Sequence, residues 1–347
     1  MCGNLVIIVQ PASTPVGSGL DLFFCSFLWA GILAKRVKPA ATIDQHVDLL
    51  RSRGMQVDAV LAYQWLANVS YYHLSAYWYP ARVMGSNGGR CDKFVPETTF
   101  EAAVDLYEAD RKLRTLVHDG MERIEITMRT RIGEALCLED PMGYANPGSF
   151  RPSFDHRKWM STAHKRICRV GRNNEAIKHY QVEYDGKYPF WVLAEVLDFA
   201  DISRLFEGLP AKNQREISEG LNIKINLDVL SRNQQRKART QPPLVRWMEQ
   251  LTVIRNICAH HGRLWNKSFA PAPTAALRTQ PEFALLPEGQ SQQVFGALKV
   301  MAHLLRVTSP GTSWPDKVTR HIKNSFLSNQ LVRPESLGIP STGFHSF

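Results

Sequence analysis

Near the end of one apolar-striped stretch, Leu244 to Trp265 (LVRWMEQLTVIRNICAHHGRLW), stand Arg255, Asn256, His260 and His261. An arginine, an amide and two imidazoles are the groups that bind a phosphodiester and move protons around it. A guanidinium matches the charge that builds on phosphate oxygens. An imidazole titrates near neutrality and can take the proton of a ribose 2′-hydroxyl as that oxygen attacks the adjacent phosphorus. An acid then protonates the departing 5′-oxygen. This is RNA cleavage without a metal, so neither metal nor cofactor is expected at the site. The spacing Arg-x4-His is weak by itself, because chance alone supplies it in a chain with 27 arginines and 11 histidines. Arg151–His156 is a second instance, set aside because Pro152 and its turn-like surroundings take it off a helix.

The helix predicted around Arg255 distinguishes the first instance. Leu244, Trp247, Leu251, Ile254 and Cys258 recur at steps of three and four, and Gly262 is the expected stop. At ~100° per residue, Arg255 falls at the edge of the apolar stripe. Asn256 and His260 share an outward face, while His261 falls on the opposite shoulder, nearer the core. His260 is therefore the catalytic candidate and His261 its support. One helix offers one Arg and one His where the mechanism wants more, so two copies meeting across a two-fold axis, a homodimer, would complete the site. The bland alternative is that Arg255 and His260 only cap carbonyls at a helix C-terminus, where cations are favoured.

The remaining elements must position that helix end. The 347 residues carry a net charge of +10, which favours a polyanionic partner, RNA before membrane. Two clusters hold much of it. Arg157, Lys158, Lys165, Arg166 and Arg169 lie in a run from Arg151 to Arg172 with Asp155 as its single acid, and Arg232, Arg236, Lys237, Arg239 and Arg246 lead without an acid into the motif helix. Both are RNA-binding candidates, the second favoured by its nearness in sequence to Arg255; solvated surface is the plain alternative. The six scattered cysteines lack zinc-site spacing and read as buried, reduced thiols of a cytoplasmic protein.

Four segments are expected. Residues 1–37 form an apolar, irregular extension whose 13-residue run Leu22–Ala34 is short of the ~20 needed to cross a bilayer; a leader, an interfacial anchor and a mis-set start remain open. Residues 38–90 supply N-terminal helices, with Tyr71–Pro80 as an aromatic core wedge rather than a base-stacking platform. His73 within it reads as packed and hydrogen-bonded, and GSNGG (85–89) as a loop. Residues 91–269 form the core that carries the motif. It opens with a capping box at Thr98 and a helix to about Leu138, bent near Gly120, whose alternating charges read as a solvated face. Helices are also predicted at Glu175–Tyr184, Pro189–Leu209 and Lys212–Leu221. Residues 270–347 are a Pro-rich loop and a helical extension, with Val294–Leu305 its strong helix and a frayed end from about Leu331. No alternating strand pattern occurs, so the fold class is all-α.

From about Lys38 to Trp265 the sequence resembles the Abi family of bacterial abortive-infection proteins (AbiD/AbiF-like). Four blocks carry the likeness: Val69–Pro80 (VSYYHLSAYWYP); Asp110–Arg114 with Glu122–Ile126 and Arg129–Ile132; Pro189–Val196 (PFWVLAEV); and Ile254–His261 with Arg263–Asn266. That family looks like a branch of the HEPN superfamily, helical bundles whose Arg-x4-6-His motif forms a composite, metal-independent ribonuclease site in dimers. The resemblance implies a HEPN-like bundle, catalytic roles for Arg255, Asn256 and His260 or His261, phage-defence or toxin-like biology, and a structured non-coding RNA as a possible partner; the sequence does not reveal an antitoxin. One departure, Asp198-Phe199-Ala200-Asp201 in place of a Ser-Phe-Gly pattern, bears on a local helix break. Two other functions fit the same residues: a non-cleaving scaffold for a cognate RNA, and a helical dimerisation module.

Overall fold

The longest apolar pattern becomes the central helix of the unit Thr42–Phe347. In the computed structural model, which describes residues 39–341, 343, 344, 346 and 347, helix α4 (Phe100–Cys137) runs unbroken for 38 residues, about 57 Å at 1.5 Å per residue. The run Leu22–Ala34 and Cys2 and Cys25 lie outside the described residues.

Three short helices precede α4: α1 (Ile43–Ser52), α2 (Ala59–Asn68) and α3 (Tyr71–Trp78). Thr42 and Gln45 form a capping box on α1. GSNGG is the loop its sequence implies, and it joins a hairpin, β1 (Arg82–Met84) with β2 (Arg90–Phe94), whose strands were not anticipated. Leu50, Leu74, Trp78, Phe94, Phe100 and Val104 close a small core beneath these elements. The wedge reading holds for Tyr77 and Trp78, which are buried, whereas Tyr72 and Tyr79 are exposed. Thr99, not Thr98, caps α4 by accepting from the Ala102 amide; the Thr98 hydroxyl turns back to the Val95 carbonyl.

The main core gathers around the middle of α4. Against it lie α7 (Phe190–Ala194), α8 (Phe199–Gly208), α11 (Leu244–Ala259), α12 (Val294–Thr308) and α13 (Trp314–His321). Gly120 sits where a Cβ would come within 2.8 Å of the Met301 side chain and 3.0 Å of the Trp314 ring. It permits close packing, which is the reason for a glycine inside a helix there. The remaining helices are α5 (His156–Val170), α6 (Glu175–Glu183), α9 (Ala211–Gly220) and α10 (Arg232–Thr240). A second strand pair, β3 (Ala272–Pro273) with β4 (Gln290–Ser291), is two residues long. The protein is all-α, as its sequence pattern implies.

The stretch Pro189–Leu209 is two helices because Asp198 caps α8 in a reciprocal box with Asp201. Asp198 and Asp201 thus make the break. The C-terminal end also differs from expectation: Leu337, Ile339 and Phe347 are buried, so the tail packs on the core instead of fraying. Among the described residues no helix is long and apolar enough to cross a membrane. Cys137 and Cys258 are buried as expected of inert thiols, but Cys91 is half-buried and Cys168 exposed.

Candidate active site

Helix α11 is held from behind by its apolar stripe and by one buried amide. Leu244, Trp247, Met248, Leu251, Ile254 and Cys258 are buried. Gln250, fully buried, donates to the Ala270 and Ser291 carbonyls at 2.7 and 2.8 Å. The helix stops at Ala259, six residues short of the apolar-striped stretch. His260 is its cap, His261 takes the left-handed conformation at φ 57°, and the Gly262 amide donates to the Ile257 carbonyl at 2.8 Å. With the His261 amide bonded to Cys258 O at 3.0 Å, this is a Schellman closure in which histidine, not glycine, occupies the left-handed position. Such a residue costs about 1–2 kcal/mol. His261 is consequently exposed, like His260 and Asn256, rather than turned toward the core.

The loop after the histidines is clamped by a carboxylate. Asp110, completely buried on α4, accepts from the amides of Leu264 and Trp265, from the Tyr77 hydroxyl at 2.9 Å and from Arg114 at 2.6 Å. Burial pushes the Asp110 carboxyl up, while Arg114 and the Trp265 amide pull it back down. Arg114 and the two amides can only donate, an arrangement that favours the carboxylate against its burial. Burial and the Asp110 charge raise the Tyr77 hydroxyl far above its ordinary value, fixing it as a donor. Arg263 bonds the Ala76 carbonyl, Trp265 stacks on Tyr77, and Trp265 Nε1 donates to Ser336 Oγ at 2.8 Å. Thus α3, α4 and the C-terminal tail all grip residues 263–265.

His73 is drawn into the same region. It is half-buried and edge-on to Tyr107 at 5.7 Å, and no hydrogen bond to its ring occurs among the described residues, contrary to the hydrogen-bonded role expected of it. Its pKa is lowered by burial first, then by Arg114, with a smaller push from His261. The aromatic segment therefore reaches the motif.

Arg255 faces the other way across the helix end, toward α4. It lines a cleft of about 620 Å³ with His118, Asp119, Glu122, Glu125 and Arg129. Glu125 and Arg129 pair at 2.7 Å, and Asp119 pairs with Arg123 at 2.9 Å. Arg255 makes no ion pair among the described residues; its recorded polar contact is Asn256 Oδ1 at 3.4 Å. Burial raises the Glu125 carboxyl, against the pull of Arg129 and then of Arg255. The motif guanidinium is thus partly uncovered and uncommitted.

The two basic clusters fare differently. On α5, Arg166 is committed to Asp198 and, at 2.9 Å, to Asp201, and Arg169 to Asp198 at 3.5 Å. The run that looked nearly free of acids is therefore partly neutralised by α8, while Arg157, Lys158 and Lys165 stay exposed. On α10, Arg232, Arg236, Lys237 and Arg239 are exposed and have no acidic partner among the described residues. Arg246 pairs with Glu249 at 2.8 Å and Glu207 at 3.5 Å. Arg246 and His260 are fourteen residues apart on one helix, roughly 21 Å, so nearness in sequence placed this cluster at the opposite end of α11 from the motif.

Sequence reasoning missed Asp110, Tyr77 and His118. Asp110 had a signal: Leu106, Asp110, Leu113 and Val117 follow the steps of four and three of a buried face, so an acid stood on the apolar stripe. His118 is a lone polar residue on a charged helix and carried none.

A long axial helix, a clamped helix end with exposed Arg, Asn and His, and an acid-free basic helix define an all-α protein built to present one polar helix terminus. The chain matches the family model described as Abi-like protein over residues 64–266, more than half its length, and belongs to that family. Membership supports a role in abortive infection, the arrest of phage growth at the infected cell's expense. Comparison with curated proteins and with solved structures gives no match.

Proposed function

We propose that this protein is a metal-independent endoribonuclease of an abortive-infection system, with Arg255, Asn256, His260 and His261 at its site. The observation that carries the reading is Arg255: a half-exposed guanidinium with no ion pair among the described residues, five residues before an exposed imidazole, with the following loop pinned by Asp110. Glu125, whose carboxyl also feels the charge of Arg255, is bonded to Arg129. Arg255 holds the non-bridging oxygens of the phosphodiester. His260 removes the 2′-proton, and Asn256, one turn earlier on the same exposed side, orients the imidazole or the phosphate. A second copy facing the first across a two-fold axis, as in HEPN dimers, brings two such helix ends together.

The acid-free helix α10 supports RNA as the ligand and also favours a second reading, a scaffold that grips a cognate RNA without cutting it. RNA cleavage in EDTA separates them. The wild type should cut, and Arg255→Ala and His260→Ala should each lose about 10²-fold or more. Equal cutting by His260→Ala overturns the assignment. Tight, salt-sensitive RNA binding with neither cleavage nor toxicity on expression would favour the scaffold.

A further inference from the structure

We infer that His118 on α4 is the acid that protonates the leaving 5′-oxygen, so that the cleft between α4 and Arg255 receives the scissile phosphodiester of an RNA strand. This rests on the ribonuclease reading above and adds to it a residue from another helix of the same chain.

The argument is one of convergence. Of the charged or titratable groups lining the cleft, Asp119, Glu125 and Arg129 are committed to ion pairs with Arg123 or with each other. His118, Glu122 and Arg255 have no ion pair among the described residues, and His118 and Glu122 make no side-chain hydrogen bond there. His118 and Glu122 are exposed and four residues apart, so they stand on one face of α4 a turn from each other. These three groups, none of them ion-paired among the described residues, line one cleft of about 620 Å³, large enough for a nucleotide.

The chemistry needs a proton carrier on each side of the phosphorus, because attacking and leaving oxygens lie in line. At the end of α11 His260 follows Arg255 by five residues, and His118 lines the cleft with Arg255 from α4. His260 imidazole takes the 2′-hydroxyl proton; the O2′–P bond forms and the P–O5′ bond breaks; His118 imidazolium gives its proton to O5′. Products are a 2′,3′-cyclic phosphate and a 5′-hydroxyl, and the two imidazoles exchange their proton through water before the next turnover. In the proposed site Glu122, one turn along α4, accepts the other ring N–H of His118 and so orients it. It is a positioning residue.

The test uses the full chain, an RNA oligonucleotide, and the same oligonucleotide with sulfur replacing the bridging 5′-oxygen at the cut site. A thiolate leaves without an acid. His118→Ala and His118→Gln should lose about 10²–10⁴-fold on the ordinary RNA, with unchanged thermal midpoints, and return to within about tenfold of wild type on the thiolate substrate. Full activity of His118→Ala on ordinary RNA overturns the inference and leaves the ribonuclease reading standing. An equal defect on both substrates also overturns it, since the role is then not that of an acid. If the wild type cuts neither substrate, the ribonuclease reading itself fails, and this one with it.

Discussion

Replacing Asp110 should disconnect the helix end from the fold. Its carboxylate has no exposure and is the shared acceptor for the Leu264 and Trp265 amides, the Tyr77 hydroxyl and Arg114, itself nearly buried. Asp110→Ala strands a buried guanidinium, which by itself costs about 3–5 kcal/mol, and leaves two backbone amides and a hydroxyl without an acceptor. These losses overlap, so about 4 kcal/mol is the working figure, against a total stability of about 5–15 kcal/mol. With an m-value of about 2–3 kcal/mol/M the urea midpoint drops by about 1–2 M. Asp110→Leu combined with Arg114→Met removes both charges and should recover part of the loss, which a double-mutant cycle in urea would show as coupling. A cost below about 1 kcal/mol for Asp110→Ala, or strict additivity with Arg114→Met, would refute the claim that this carboxylate holds the motif loop.

Three further outcomes follow from the geometry. Neutralising Arg232, Arg236 and Arg239 together should lower the slope of log affinity for single-stranded RNA against log salt by about two, at ~0.7 per phosphate contact; Arg166→Gln should change it little, because that side chain serves Asp198 and Asp201, and the reverse ranking in salt-titrated binding would contradict the assignment. His261→Gly relieves a left-handed histidine and should raise stability by about 1 kcal/mol, seen as a higher thermal midpoint; a fall would show that the His261 side chain holds the loop in place. Burial lowers the folded-state pKa of His321, with the Ala109 carbonyl opposing. The unfolded chain therefore binds its proton first, and this residue's penalty grows as pH falls below 6.5. Urea midpoints at about pH 7.5 and 5.5 should differ less in His321→Gln than in the wild type; an equal or larger difference speaks against it.

How far the sequence led depends on whether the deciding contact was local. Helices α4 and α11 announce themselves because their apolar residues keep a helical period over many turns. The end of α11 did not, since Gly262 looked like the left-handed residue while the chain closes one position earlier, through His261. The α5 cluster looked free because its counter-charges, Asp198 and Asp201, lie some thirty residues on, across a packing contact with α8. The same acids make the break between α7 and α8, so the pair is visible in sequence but its purpose is not. The order of the tail comes from Trp265 and Asn266 bonding Ser336, a pairing seventy residues apart. Arg255, Asn256 and His260 were legible as a triad of types on one helix; the cleft that Arg255 shares with His118 needed α4 laid against α11.

The most direct test of the central claim alters one atom of the substrate. An RNA oligonucleotide cut by the wild type in EDTA is resynthesised with a 2′-deoxynucleotide on the 5′ side of the cut, and product ends are read by mass. The account predicts 2′,3′-cyclic phosphate and 5′-hydroxyl ends from the all-RNA strand and no cut at the deoxy position. Cleavage at the deoxy position, or products ending in 3′-hydroxyl and 5′-phosphate, would contradict it.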